Sequence, residues 1–198
     1  MQIAALLPAA GLSSRLGDST RHKLLARIGG ETLIRRAARR ALEAGFDEVV
    51  VVTGARHTEM EAALRDLPVR LCHNEDFAQG MAGSLQRGRD ALTAPGPEGL
   101  IILLPDMPLV TVDHLHALAQ AFRQAEGRRV VRPTADGRPG NPVILPRALY
   151  QRFDTLSGDA GARQLIRAAE VAAVEIGAAA FADADTPEAL AALGASFD

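Results

Sequence analysis

The sequence is poor in several residue types that mark particular classes of protein. Among its 198 residues there is one cysteine and no tryptophan, and aromatic residues make up 4%. A single cysteine excludes an internal disulfide framework and the zinc motifs that use several cysteines. The first apolar run, residues 3–7, is too short to span a membrane and follows no basic leader. We therefore expect a cytoplasmic protein that does not act at a membrane.

Neither sign of charge is in clear excess. The chain has 22 lysines and arginines against 24 aspartates and glutamates, which gives a formal net charge of -2. A protein that neutralises nucleic-acid phosphates needs a basic excess, so nucleic acid is not an expected partner. Small anionic ligands are compatible with this balance. We interpret the four arginines between residues 35 and 40 as a solvated helix face.

Short apolar runs alternate with segments of helical periodicity. Continuous apolar runs are typical of strands buried on both faces, and they occur at residues 3–7, 49–52, 100–104 and 143–145. Helical patterns occur at residues 32–44, 58–66, 82–92 and 112–125. This alternation predicts one α/β domain over residues 1–198, with a mostly parallel sheet and ligands at the carboxyl ends of its strands. We expect residues 132–142 to form a long loop with a function.

The segment after the first predicted strand combines small residues with basic ones. Residues 8–17 read PAAGLSSRLG, and Lys23 follows shortly afterwards. Small residues let backbone amides approach an anion, and Arg15 and Lys23 add positive charge. The segment therefore predicts a turn that binds a polyphosphate. It matches neither the Walker A motif nor Gly-x-Gly-x-x-Gly.

Acidic residues follow another predicted strand and recur near the end of the chain. Asp106 comes directly after the run at residues 100–104, where a hard cation that bridges phosphates would be held. Asp183 and Asp185 lie in the segment DADTPE, and strand alternation would point both the same way. Asp185 is a further acid of this site, or else Asp185 or Thr186 caps the following helix.

Six motifs, taken in their order along the chain, resemble those of the MobA-like NTP transferases, with the molybdenum cofactor cytidylyltransferase branch as the nearest match. They lie at residues 7–17 with 23–25, 80–85, 104–109, 137–143, 157–163 and 183–188. Pro8 stands where the family commonly has Ala, and Pro105 replaces a Gly. Five residues separate Gly17 from Lys23, more than is common, so Arg21 competes with Lys23 as the phosphate contact.

The resemblance implies a three-layer α/β/α Rossmann-like fold of the nucleotidyltransferase type and a Mg²⁺-dependent enzyme. The implied reaction transfers CMP from CTP to the terminal phosphate of molybdopterin cofactor and releases pyrophosphate. Such a transfer needs no protein nucleophile, because the acceptor is already anionic. The implied partners are CTP or another NTP, the phosphate-bearing acceptor, and a molybdoenzyme or chaperone that docks transiently.

The resemblance also implies a role for each matching residue. The catalytic residues are Arg15, Lys23 and Asp106, and the metal ligands are Asp106 and Asp183. The nucleotide-binding residues are Ala9, Ala10, Gly11, Gly80 and Ser84, and the acceptor-binding residues are Asn141, Asp159 and Arg163. Asp159 is equally a candidate N-cap for a helix that begins at Ala160. Two other functions remain open: a guanylyl- or sugar-phosphate nucleotidyltransferase of the same fold, and a non-catalytic nucleotide-binding accessory protein for a molybdoenzyme.

Overall fold

The computed structural model describes residues 1–13, 21–93 and 96–197. Its strands are β1 (Ile3–Ala9), β2 (Arg27–Ile28), β3 (Glu31–Thr32), β4 (Glu48–Thr53), β5 (Arg70–His73), β6 (Gly99–Ile102), β7 (Val130–Ala135), β8 (Arg138–Pro139), β9 (Val143–Pro146) and β10 (Val171–Glu175). Its α-helices are α1 (Leu33–Glu43), α2 (His57–Leu64), α3 (Met81–Asp90), α4 (Val112–Gln124), α5 (Ala162–Leu165) and α6 (Pro187–Ala192). No helix among the described residues has the length and apolar character needed to cross a membrane.

The main sheet confirms the predicted α/β architecture. Its strands run in the order β10-β7-β9-β6-β1-β4-β5, and the short β8 pairs with β7. Six of these strands are parallel to one another, while β9 runs antiparallel to both β6 and β7. The carboxyl ends of the central strands β1 and β6 therefore lie at the same edge of the sheet, which is where a parallel sheet binds ligands.

Helices cover both faces of the sheet because β1 and its neighbours are apolar on both sides. Ile3, Ala5 and Leu7 of β1 pack with α1, α2 and α4, whereas Ala4 and Leu6 pack with α3, α5 and the 3₁₀ helix Arg147–Thr155. Successive residues of a strand face opposite sides, so a continuous apolar run serves both layers. This arrangement forms the three predicted layers.

Strand β1 continues through Pro8 to Ala9, beyond the end of the apolar run that predicted it. A proline in a central strand normally removes a ladder hydrogen bond. On the β6 side, however, the pairing ends at Leu6 with Ile102, and the Leu6 carbonyl accepts from the amide of Leu103. The nitrogen of Pro8 points to the same side as that of Leu6, where β6 has already ended. The proline therefore removes no hydrogen bond between β1 and β6.

The segment 132–142, expected as a long loop, is largely a hairpin. Strand β7 runs to Ala135, and β8 returns antiparallel to it with Ala135 opposite Arg138. Asp136 and Gly137 form the two-residue turn, with φ of 51° and 75°. An Asp-Gly pair with two positive φ angles is characteristic of a type I′ hairpin. The prediction was wrong here because the prolines and glycines of the segment favoured a loop, although the Asp-Gly pair at residues 136–137 is itself a hairpin signal.

A third, smaller apolar cluster attaches the C-terminal segment to the early part of the chain. It joins Ala26 and Leu33 to Ala184 and Leu190 of the C-terminal segment. Thr186 caps α6 through a hydrogen bond to its oxygen from the amide of Ala189 at 3.2 Å. This cluster holds residues 183–185 beside the 3₁₀ turn Lys23–Leu25.

Candidate active site

A cavity of about 570 Å³ opens at the carboxyl ends of β1 and β6. Its backbone wall includes Pro8, Gly11 and Ser13 at the end of β1, and Leu104 and Pro105 after β6. Its charged lining residues are Lys23, Asp106, Asp159, Asp183 and Asp185. Two segments that the sequence singled out, one basic and one acidic, therefore share a cavity large enough for a small-molecule ligand.

Lys23 lies between two of the carboxylates. Its ammonium group donates hydrogen bonds to Oδ2 of Asp106 and to Oδ1 of Asp185. Burial alone would lower the pKa of Lys23, but the nearby carboxylates of Asp106 and Asp185 outweigh this effect and raise the pKa above its usual value. The ammonium group therefore stays charged in the ligand-free site. Lys23 is also the only lysine in the sequence.

The side chain of His22 links the backbone of the segment after β1 to the backbone next to Lys23. Its Nδ1 accepts a hydrogen bond from the amide of Leu24 at 3.3 Å, so its Nε2 carries the proton and donates to the carbonyl of Gly11 at 2.7 Å. The side chain is 3% exposed, and burial lowers its pKa despite the bond to Gly11. The amide of Lys23 also donates to Oγ of Ser13 at 3.3 Å. Sequence reasoning missed His22, whose one signal is its place directly before the lysine.

The three acids come together because two distant backbone segments are hydrogen-bonded. The carbonyl of Asp106 accepts from the amide of Ala184 at 2.7 Å, and Ala184 lies between Asp183 and Asp185. Burial raises the pKa of Asp183, and the negative charges of Asp185 and Asp106 raise it further. Asp185 is not the cap of α6, since Thr186 occupies that position. Its carboxylate instead pairs with Lys23.

Asp106 retains one oxygen that could bind a cation. Its Oδ1 is buried and has no hydrogen-bond partner among the described residues. Oxygen donors of this kind suit Mg²⁺, which usually takes one or two carboxylates from a protein and completes its shell with substrate phosphates and water. Within residues 1–13, 21–93 and 96–197, no group of three His, Cys, Asp or Glu residues forms a complete metal site. The unpaired oxygen of Asp106 therefore fits a cation that takes most of its ligands from substrate phosphates and water.

The residues assigned to nucleotide binding occupy different depths. Gly11 lines the cavity, whereas Ala9 and Ala10 are 1% and 4% exposed and do not line it. Ser84 is also buried, and its Oγ accepts from the side-chain amide of Asn74 at 3.0 Å. Gly80 precedes α3 with a φ of 108° and packs against the backbone of residue 158. Its neighbour, Met81, reaches the cavity.

The residues assigned to acceptor binding are also divided. Asp159 lines the cavity, and α5 begins after Gly161 with no side-chain cap, so Asp159 does not cap that helix. Asn141 and Arg163 do not line the cavity. The amide of Asn141 donates to the carbonyl of Ala180 at 3.0 Å, in the segment that leads to Asp183.

Arg21, the rival of Lys23 as the phosphate contact, lines a different cavity from Lys23. Arg15 lies outside the described residues. Arg21 lines a second cavity, with its guanidinium 5.1 Å from the ring centre of Phe197. Among the described basic side chains that the sequence assigned to phosphate, Lys23 is thus the one that reaches the cavity with Asp106.

Comparison with known proteins identifies the family. Residues 5–174 match the MobA-like NTP transferase domain. The chain belongs to this family. It is 31% identical over 170 residues to a protein named nicotine blue oxidoreductase from Paenarthrobacter nicotinovorans, a match that covers 83% of this chain and 81% of that protein.

Two solved structures share the fold. A nucleotidyl transferase from Methanothermobacter thermautotroptrophicus has a TM-score of 0.80 and 24% identity, with 97% of this chain and 95% of that chain covered. The Rv0371c protein of Mycobacterium tuberculosis H37Rv, in complex with manganese, has a TM-score of 0.77 and 21% identity, with 98% of each chain covered. The protein is therefore a nucleotidyltransferase of the MobA-like family, with the Rossmann-like fold of these neighbours.

Proposed function

We propose that the protein transfers CMP from CTP to the terminal phosphate of molybdopterin cofactor, with Mg²⁺, and releases pyrophosphate. The observation that carries the proposal is the contact of Lys23 with Asp106 and Asp185 at the edge of the sheet where β1 and β6 end. We further propose that residues 1–198 form one nucleotidyltransferase domain, since the family match covers residues 5–174.

In the proposed reaction, an oxygen of the acceptor phosphate forms a bond to the α-phosphorus of CTP. The bond from that phosphorus to the bridging oxygen breaks, and pyrophosphate leaves with the electron pair. The protein supplies alignment and positive charge rather than a nucleophile. Lys23 and Arg15 stabilise the charge that develops on the departing pyrophosphate. Gly11 leaves room for the triphosphate because, among the described residues other than its two neighbours in the chain, no atom lies within 4 Å of the position that its Cβ would occupy.

Asp106 and Asp183 are the proposed ligands of Mg²⁺, supported by the unpaired Oδ1 of Asp106. When bound, Mg²⁺ neutralises phosphate charge and acts as a Lewis acid on the α-phosphate. Asp185 orients Lys23 through their ion pair. This division assigns two of the acids to Mg²⁺ and the third to Lys23, in a site whose charged lining residues, among those described, are mostly acidic.

The choice of CTP and of the acceptor rests on the resemblance of residues 8–11 and 80–85 to the cytidylyltransferase branch. We assign Ala9, Ala10, Gly80 and Ser84 to the nucleoside side, behind the cavity wall, and Gly11 to the wall itself, because Gly11 lines the cavity. We assign Asn141, Asp159 and Arg163 to the acceptor side. Of these, Asp159 has the strongest support because it lines the cavity.

The test is to incubate the purified protein with Mg²⁺, isolated molybdopterin cofactor and one of CTP, GTP, UTP or ATP, and to follow pyrophosphate. We expect release with CTP and its loss in Asp106→Asn. Release with GTP, or with UTP and a sugar phosphate, would indicate another transferase of the same fold. Nucleotide binding without turnover would favour the accessory protein. In a separate assay the protein is incubated with a reduced nicotinamide cofactor. Its oxidation, with no pyrophosphate released in the first assay, would contradict a transferase and favour the oxidoreductase activity for which the Paenarthrobacter relative is named.

A further inference from the structure

The arginines of α1 are not the solvated face that their spacing predicts. All four are only partly exposed, and each donates to a neighbouring segment. Arg35 pairs with Asp66, and Arg39 pairs with Glu31 and Glu43. Arg40 differs from these two because it reaches the loop between β6 and α4, residues 103–111, which carries Asp106.

Arg40 donates to two carbonyls of that loop through one nitrogen. Its Nη1 lies 2.7 Å from the carbonyl oxygen of Pro108 and 2.6 Å from that of Val110. These partners are 68 and 70 residues away in the sequence. Hydrogen bonds from a charged donor are roughly twice as strong as neutral ones. Arg40 therefore fixes the loop to the helix behind the cavity.

The loop needs an external donor because two of its residues cannot donate. Pro105 and Pro108 lack a backbone N–H. The backbone bonds inside the loop are from the amide of Met107 to the carbonyl of Leu104, at 3.3 Å, and from the amide of Val110 to the carbonyl of Met107, at 3.2 Å. The first is longer than the usual range for bonds of this type, and the second is at the upper end of that range. The guanidinium group of Arg40 supplies hydrogen-bond donors to this loop, where the two prolines have no N–H to donate.

Asp106 thus lies between two anchors. On one side its own carbonyl accepts from Ala184, and on the other side the carbonyls two and four residues later accept from Arg40. We propose that Arg40 is a positioning residue that holds the carboxylate of Asp106 in place from outside the cavity. This inference rests on the proposed function, in which Asp106 is the principal acid of the site.

The experiment compares Arg40→Met and Arg40→Lys with Arg39→Met. Arg39→Met is the matched control, because Arg39 is on the same helix and its ion pairs do not involve the loop. Hydrogen exchange of the amides of Met107, Val110 and Ala184 is measured without nucleotide, and Mn²⁺ binding is measured by electron paramagnetic resonance with CTP present. In Arg40→Met we expect exchange about tenfold faster at these amides and Mn²⁺ binding about tenfold weaker, as the loss of a charged donor predicts. Arg40→Lys should lie between this variant and the wild type.

Equal exchange in Arg40→Met and Arg39→Met would overturn the inference, as would faster exchange with unchanged Mn²⁺ binding. If Arg40→Met does not fold, Arg40→Lys decides: exchange and Mn²⁺ binding equal to those of the wild type would overturn the inference. The proposed function fails separately, when the wild-type protein releases no pyrophosphate from CTP. Hydrogen exchange needs neither CTP nor an acceptor, so it reports on Arg40 in either case.

Discussion

The ammonium group of Lys23 donates a hydrogen bond to the carboxylate of Asp106, 83 residues further along the chain. Both side chains are mostly buried, with 20% and 15% of their surfaces exposed. In the ligand-free protein the lysine thus neutralises part of the acidic cluster. A nucleotide that brings its own cation would change the partners of both side chains.

Asp106→Asn should abolish turnover and leave the fold intact. The amide keeps the shape of the side chain but removes the negative charge and one acceptor, so we expect pyrophosphate release to fall by at least about a hundredfold, as for comparable electrostatic groups. Circular dichroism and thermal unfolding measure the fold alongside the rate. A variant that unfolds would show that Asp106 is mainly structural.

Because Lys23 is the only lysine, its environment can be measured by amine acylation followed by mass spectrometry of one peptide. Its raised pKa keeps the amine protonated, so we expect acylation near pH 9 to be slower than that of a free lysine. Asp185→Asn should speed the reaction, because one of the two carboxylates that hold the proton is lost.

Asp159→Asn is the control for this measurement, since Asp159 lines the same cavity but makes no hydrogen bond or ion pair to Lys23. Acylation that is fast in the wild type, or equally affected by both substitutions, would contradict the ion pair.

Gly80→Ala, directly before α3, should destabilise the protein, while Gly83→Ala within α3 should not. An added Cβ at Gly80 would lie 2.3 Å from the backbone of Gly158, at a φ of 108° that side chains rarely adopt. We expect a loss of about 1–3 kcal/mol from the free energy of unfolding. At Gly83 the nearest atom is 3.7 Å away, and alanine in a helix interior is favoured over glycine by up to about 1 kcal/mol. Chemical denaturation of both variants provides the comparison, and equal stabilities would refute the close packing at Gly80.

The stability of the protein should depend on pH through His22. The folded protein lowers the pKa of this histidine below the ordinary value of 6.5, chiefly by burial, with Lys23 and Arg56 opposing and Glu59 favouring its charge. The unfolded chain therefore binds the proton more readily, so the contribution of His22 to stability is present above pH 6.5 and is lost as pH falls through the folded pKa. Denaturation curves between about pH 5 and pH 8, the range over which histidine changes charge, measure how the free energy of unfolding varies with pH.

His22→Asn keeps an acceptor for the amide of Leu24 but does not titrate, so its stability should vary less over this range. His116, an exposed histidine on α4, gives the matched variant His116→Asn, which should keep the wild-type slope. Identical slopes in all three proteins would exclude His22 as the source.

Much of the fold follows from local patterns. The continuous apolar runs predict β1, β4, β6 and β9, since both faces of these strands are covered by other layers. The alternation of runs and helical segments also predicts that Asp106 and the turn after β1 lie at one edge. The strand β10 was not predicted, because it lies at the edge of the sheet and its residues are alternately exposed and partly buried.

The site is less predictable than the fold, because the side chains that support Lys23 and Asp106 come from distant segments of the chain. The sequence motif led to Lys23 and Asp106, but it did not show that Asp185 pairs with the lysine, and it left the cap of α6 open between Asp185 and Thr186. Arg40 looked like one of several surface charges, and only the position of residues 108–110 reveals its two carbonyl partners. Such contacts depend on the reach of long side chains, which periodicity does not encode.

The small apolar cluster around Ala184 and Leu190 also determines when the site is completed during biosynthesis. A ribosome makes the segment after β1, Lys23 and the central strands first, and Asp185 follows 162 residues after Lys23. A nascent chain therefore carries the basic half of the site without its full acidic complement. The pocket reaches its final charge only once α6 has docked against the segment that precedes α1.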